Sequence, residues 1–215
     1  MIRLLVTLAV CLSCLAQTPA EAERSRKLWN GVFEGGTHYF NKDANRFLQR
    51  VTADLEPGLA LDVGMGQGRN SLFLAEQGWE VTGIDVSNEA VAMANRKATE
   101  KGVRLQTVLE SVDTYDYGTD KWDLVIGLYM HGHITRNAEK IIASLKPGGL
   151  LLIEGFHWDY GPGFSDGRLF GYKTNELTEV FETLRILYYE DITDKADWSS
   201  PEDHPIVRLL ARKIK

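Results

Sequence analysis

Two groups of residues in this chain have types and spacings suited to chemistry. The first is Asp62-Val63-Gly64-Met65-Gly66-Gln67-Gly68, three glycines at alternate positions behind an acid. Glycine permits positive φ and lets the main chain approach a ligand closely. The spacing is not the dinucleotide fingerprint G-x-G-x-x-G, because Arg69 stands where its last glycine would fall. A second acid, Asp85, closes Val81-Thr82-Gly83-Ile84-Asp85, about 20 residues beyond the glycines, where a carboxylate accepts two hydrogen bonds from a ribose diol. The plainer reading of Asp85 is an acid at the start of the next helix. The glycine loop upstream favours the ribose.

The second group is Tyr129-Met130-His131-Gly132-His133. Two histidines beside a tyrosine form a base or orienting set, with His131 ahead of His133 and Tyr129 in support. A base is needed only where the molecule acted on must lose a proton. On an extended segment the two rings could share an ion, with His157 or His38 as a further ligand, but the expectation is no metal site. The bland alternative is that both histidines pack a loop beneath a ligand. Farther on, Phe156-His157-Trp158-Asp159-Tyr160 and the glycines at 161 and 163 could wall a small substrate and close over it. His157 and Trp158 are the candidates there; otherwise the cluster caps a sheet edge.

Such residues need a rigid frame. Residues 59–63, 79–85, 103–109, 122–127 and 150–156 read as strands. Helical patterns fill 70–77, 87–101 and 136–145, with Gly78 and Gly102 as stops and Ser87 as a cap. Residues 43–55 carry Phe47, Leu48, Val51 and Leu55 at helical spacing. Strand–helix alternation with short links means βαβ units and a parallel sheet. Leu150-Leu151-Leu152-Ile153 is apolar on both faces, as a central strand covered by helices requires. Residues 173–182 then read as a helix. Residues 185–191 and 206–213 read as two more strands, joined by a polar loop over 193–205.

The glycine loop and Asp85 together resemble the class I S-adenosylmethionine (SAM)-dependent methyltransferases, from about Phe40 to the C-terminus. Trp122-Asp123-Leu124-Val125 matches the family's fourth strand, and Leu145-Lys146-Pro147-Gly148-Gly149 matches the turn before its fifth. The run Gly68 to Ala75, Asn175-Glu176-Leu177 and Arg208 to Lys213 look most like the tellurite-resistance and thiopurine branch. The resemblance implies an α/β fold: a doubly wound, mostly parallel seven-stranded sheet, helices on both faces, last strand antiparallel. It implies SAM as cofactor, its methionine end on the loop from Asp62 through Gly64, Met65, Gly66 and Gly68 to Arg69 and Asn70. Asp85 and Val86 would hold the ribose. Glu110, with Asp113 as rival, would meet the adenine amino group, and Ser111 and Val112 would line the ring. Tyr39 and Phe40 would lid the site.

The implied activity is methyl transfer to a small-molecule acceptor: a thiol, a chalcogen oxyanion or a hydroxylated metabolite. Transfer from a sulfonium needs positioning and desolvation more than covalent help. A SAM-binding regulator without turnover is the alternative. A nicotinamide-dependent oxidoreductase is disfavoured by Arg69.

The 215 residues fit one α/β domain, with 44% hydrophobic and 25% charged residues. A net charge of −6 argues against a partner bound through a broad basic surface, such as duplex nucleic acid. Met1-Ile2-Arg3, an apolar run to Ala16 and Ala20-Glu21-Ala22 predict a signal peptide cleaved after Ala22. The run is short of the about 20 residues that a membrane span needs. Both cysteines, Cys11 and Cys14, lie in that leader, so the predicted mature chain has no thiol. The expected organisation is a leader over 1–22, a helical segment or lid over 23–56 and a methyltransferase domain over 57–215. The leader points to a secreted or periplasmic protein; the cytoplasm, where SAM is made, is the alternative.

Overall fold

The computed structural model describes residues 18–35, 40–160, 171–198 and 202–214. Its sheet has the order β3-β2-β1-β4-β5-β7-β6. The strands are β1 (Leu59–Val63), β2 (Glu80–Asp85), β3 (Gln106–Leu109), β4 (Trp122–Leu128), β5 (Leu145–Phe156), β6 (Arg185–Lys195) and β7 (Asp203–Arg212). The first five run parallel. Only β7 reverses, antiparallel to both β5 and β6. The expected fold class is borne out. Strand β1 lies between β2 and β4, so the winding direction switches there. In such sheets that switch opens a crevice at the carboxyl ends of the strands.

The helices are α1 (Pro19–Glu34), α2 (Arg46–Thr52), α3 (Arg69–Glu76), α4 (Asn88–Lys101), α5 (His131–Arg136), α6 (Ala138–Ser144) and α7 (Glu176–Val180). Two apolar cores flank the sheet. One gathers Tyr117, Trp122, Ile141 and Phe181; the other gathers Phe47, Leu74, Trp79 and Phe156. Leu151, Leu152 and Ile153 of β5 are wholly buried, as a strand covered on both faces must be.

Local signals explain most boundaries. Gly68 enters α3 at φ 81°, and a Cβ there would come within 2.9 Å of Ala94 on α4. Glycine thus serves both the turn and the packing of α3 against α4. Ser87 caps α4 by accepting from the Ala90 N–H at 3.2 Å, and Gly102 ends it in the left-handed region. Asn45 caps α2 at the Leu48 N–H, 2.9 Å away. That cap starts α2 three residues later than its apolar spacing suggested.

Other boundaries depart from expectation. The polar stretch after the leader belongs to α1, which begins at Pro19 behind a Thr18–Glu21 capping box. The expected cleavage point after Ala22 therefore lies inside this helix. Residues 1–17 lie outside the described residues. The histidine segment, expected to be extended, forms α5; Asn137 separates it from α6, where one helix over 136–145 was expected. Residues 146–149, expected as a turn, are taken into β5. The polar loop over 193–205 is largely consumed by pairing, with Thr193 opposite Pro205 and Lys195 opposite Asp203. Among the described residues no helix is long and apolar enough to cross a membrane.

Candidate functional site

The glycine loop crosses the carboxyl end of β1 and is pinned to β2. The N–H groups of Gly64 and Met65 both donate to the Ile84 carbonyl, at 2.9 and 3.0 Å. The next turn donates from Gly66 N–H to Oδ2 of Asp85 at 2.8 Å. The other oxygen of Asp85 accepts from Ser87 N–H, also at 2.8 Å. Burial pushes the Asp85 carboxyl up, and these backbone donors act against that rise. Each oxygen still has acceptor capacity, because a carboxylate offers about four lone-pair sites. The three glycines do different work. A Cβ on Gly64 would meet Met130 Sδ at 2.1 Å, whereas one on Gly66 would meet nothing nearer than Phe33 at 3.5 Å. Gly66 therefore bares its main chain to open space.

That space is a cleft open to solvent at its mouth. Gly64, Met65 and Gly66 form its floor, with Asp85 and Val86 from the end of β2. Ser111 and Val112 close the edge beyond β3, and Arg69 and Asn70 enter from the start of α3. Arg69 is tied to the Asp43 carbonyl at 2.7 Å, and Asn70 accepts from Asn45 N–H at 2.9 Å. These bonds fasten the segment before α2 to the loop.

Three expected contacts do not line the cleft. Asp62 is buried beneath the loop and accepts from the Ser71 hydroxyl at 2.6 Å. Burial raises its carboxyl to about 6, against the Ser71 hydrogen bond. Gly68 faces α4. Glu110 takes the Thr114 hydroxyl at 3.0 Å, a partner within its own turn, instead of reaching the ring edge. Its rival Asp113 is buried and held by Arg136 and Asn137.

At the end of β4 the chain turns through Tyr129 (φ 62°) into α5. Tyr129 lines the cleft, but its hydroxyl is committed: it donates to Glu154 Oε1 and accepts from Asp197 N–H, both at 2.8 Å. Glu154, fully buried on β5, also accepts from Asn45 Nδ2 and Arg208 Nε, each at 2.6 Å. Burial and then the Glu154 carboxylate push the phenol well above its ordinary value, so it keeps its proton.

The two histidines part company. Residues two apart on a helix are rotated by about 200°, so the pair cannot act on one spot. His131 is buried, with Phe156 stacked on one side and Tyr172 on the other. Its Nε2 accepts from the Phe156 N–H at 3.0 Å. Burial, reinforced by nearby His133, pulls its pKa down to about 3, so the ring stays neutral. The leading base candidate is thus a packing residue outside the cleft, and His133 alone of the pair lines it.

The wall expected after β5 is also elsewhere. His157 is buried, meeting Thr174 Oγ1 at 3.0 Å and accepting from Asp159 N–H at 3.1 Å. Trp158 starts a short 3-10 turn, 41% exposed. Neither lines the cleft. Tyr39 and the segment 161–170 lie outside the described residues. The aromatic wall comes instead from α1, Phe40 and Trp198. Phe33 and Phe40 have ring centres 5.4 Å apart, Phe40 and Trp198 5.6 Å, and Trp198 stacks on Tyr129 at 6.2 Å. Ser25 and Trp29 complete the roof. Phe40 thus stands over the cleft as the resemblance implied, and Trp29 and Phe33 stand four apart, one turn of a helix. Trp198, inside a polar loop, gave no such signal. Among the described residues, no group of three or more His, Cys, Asp or Glu side chains is placed to hold a metal ion.

Comparison with known proteins agrees with this geometry. Residues 60–149 match the family described as "Methyltransferase domain". TehB of Haemophilus influenzae, by its name a probable S-adenosyl-L-methionine-dependent methyltransferase, is 27% identical over 146 residues, 64% of this chain and 49% of that protein. The ubiquinone biosynthesis O-methyltransferase of Yersinia pestis is 34% identical over 109 residues, 49% of this chain and 45% of that protein. The chain therefore spans about half the length of these curated relatives. The crystal structure of Haemophilus influenzae TehB superposes with a TM-score of 0.67 at 21% identity, covering 79% of this chain and 62% of that one. With the sheet order, the glycine loop and Asp85 in place, residues 60–149 match a methyltransferase domain, and the chain shares the fold of the methyltransferase-like structure of TehB.

Proposed function

We propose that the protein transfers a methyl group from SAM to a small-molecule acceptor. The observation that carries this reading is the Gly66–Asp85 junction: a bared loop and a buried carboxylate with spare acceptor sites, together in one cleft. The residues present suit such a cofactor. The loop around Gly64 and Gly66 would hold the amino-acid end, Asp85 the ribose, and Ser111 with Val112 the adenine edge. When bound, SAM supplies an electrophilic methyl group on a sulfonium.

The rest of the chemistry belongs to this chain. Phe33, Phe40 and Trp198 exclude water from the acceptor side, which strengthens every polar contact inside. Tyr129 and Glu154 hold the wall rigid, and the Tyr129 phenol keeps its proton. His133 is the polar group offered to the acceptor at the end of β4. The relatives named for ubiquinone biosynthesis support an oxygen acceptor. The motif likeness to the tellurite-resistance and thiopurine branch supports a thiol or chalcogen oxyanion.

Calorimetry with SAM and with its demethylated product, then a methyl-donor assay over thiols, selenite, tellurite and phenols, tests the proposal. Binding with turnover of one class is the expected result. Binding without turnover would make the protein a SAM-dependent regulator; no binding would end this reading.

A further inference from the structure

His133 holds an unusual position. Its Nδ1 lies 2.8 Å from Arg136 Nη2 and 3.2 Å from Asp113 Oδ2. The two contacts exclude each other. An arginine nitrogen can only donate, so the shorter contact is a hydrogen bond only if Nδ1 carries no proton. The Asp113 contact is a hydrogen bond only if Nδ1 carries one.

Three observations decide between them. The Arg136 contact is the shorter by a margin that matters for a hydrogen bond. Asp113 keeps other donors without the imidazole: Oδ1 accepts from Arg136 Nε at 3.1 Å and from Asn137 Nδ2 at 2.7 Å, and Oδ2 accepts from Arg136 Nη2 at 3.0 Å. A proton on Nδ1 would also face a guanidinium N–H across 2.8 Å. Lys140, whose Nζ sits 2.7 Å from the Asp113 carbonyl, and His131, kept neutral by burial, also lie nearby. Neither offers Nδ1 an acceptor.

We propose that Arg136 fixes His133 as the Nε2–H tautomer, so that the ring presents a donor, and not a base, to the methyl acceptor. Asp113 and Asn137 act through Arg136 as positioning residues. Nε2 has no polar partner among the described residues, and His133 lines the cleft with 35% of its side chain exposed. A fixed N–H at this point recognises a lone pair on the acceptor's oxygen or sulfur. With Nε2 already protonated and Nδ1 engaged by Arg136, the ring removes no proton from the acceptor. This rests on the methyltransferase reading of the cleft, but the tautomer is a property of the protein alone.

The test is a long-range 1H–15N spectrum of the full chain labelled with 15N-histidine, recorded near pH 8. His133→Gln identifies the His133 signals by their loss. A bare Nδ1 and a protonated Nε2 are expected in the native protein. Arg136→Met is expected to move the proton to Nδ1, facing Asp113, while the amide spectrum stays dispersed. A proton on Nδ1 in the native protein, a doubly protonated ring, or a tautomer unmoved by Arg136→Met would each overturn the proposal. Calorimetry with SAM reports separately on the methyltransferase reading, so one can fail without the other.

Discussion

The main-chain N–H of Gly66 lies 2.8 Å from Oδ2 of Asp85, which ties the first βα turn directly to the tip of the second strand. The loop that would hold one end of the cofactor and the carboxylate that would hold its sugar are thus a single hydrogen-bonded unit. A shift in either displaces both.

Replacing Asp85 by alanine should therefore remove more than a ribose contact. Hydrogen bonds to charged groups contribute about 1.5–3 kcal/mol, so SAM affinity should fall by roughly ten- to a hundredfold. Thermal unfolding should show a folded protein. Asp85→Asn should lie between the two. Because burial raises the Asp85 carboxyl, native SAM affinity should weaken as pH falls through that raised value, and the Asn variant should lose this dependence. Calorimetry across pH with an unchanged native affinity would remove Asp85 from the site.

The loop glycines should respond unequally to alanine. Both Gly64 (φ 74°) and Gly66 (φ 56°) sit in the left-handed region, which costs a non-glycine residue about 1–2 kcal/mol. Only Gly64 adds a collision, with Met130 Sδ 2.1 Å from the new Cβ. Gly64→Ala should lower the melting temperature clearly more than Gly66→Ala. Gly66→Ala should instead weaken SAM binding, since its methyl group would project into the cleft beside Phe33. Equal melting temperatures would show that Met130 moves aside freely.

Asp62 should make stability depend on pH in the direction opposite to an ordinary ion-paired acid. Its carboxyl rises from 3.8 to about 6 on folding, so the folded state holds the proton over that window and the unfolded state does not. The contribution is fully present below about pH 3.8 and lost as pH rises through 6. Asp62→Asn should gain on the native protein by about 2.5 kcal/mol between pH 4 and pH 8, at 1.36 kcal/mol per unit. Urea unfolding at the two pH values measures this. A gap that does not widen with pH contradicts the burial of an ionised Asp62.

Helix α1 supplies Ser25, Trp29 and Phe33 to the roof and starts at the Thr18–Glu21 capping box. A chain beginning at residue 18 keeps Glu21 in place, whereas one beginning at 23 loses the box. Lost caps cost about 0.5–2 kcal/mol. The shorter chain should show less helical signal and a several-fold weaker hold on SAM, with the sheet unaffected. Identical SAM affinity would separate the roof from the cofactor.

The fold and half of the site were legible in the linear order of residues, for a physical reason. Strand–helix alternation, the D-x-G-x-G-x-G turn and an acid at a strand tip are local patterns, and each acts through its own backbone. The turn into α3, the Ser87 cap and the apolar β5 therefore stand where the sequence pointed. The roles of His131 and His133 were not legible, because helical rotation at α5 sends one ring into the core and the other to the cleft. Neither was the fate of Glu110, which hydrogen-bonds a nearby hydroxyl, nor the place of Trp198 in the roof, whereas Phe40 and the N-terminal segment stand over the cleft as expected. Trp198 reaches Tyr129, and Asn45 reaches Glu154 across 109 positions of sequence, only once the sheet has closed. Local periodicity determined the frame and the floor of the cleft. Through-space contacts between distant segments decided its roof and its buried charges.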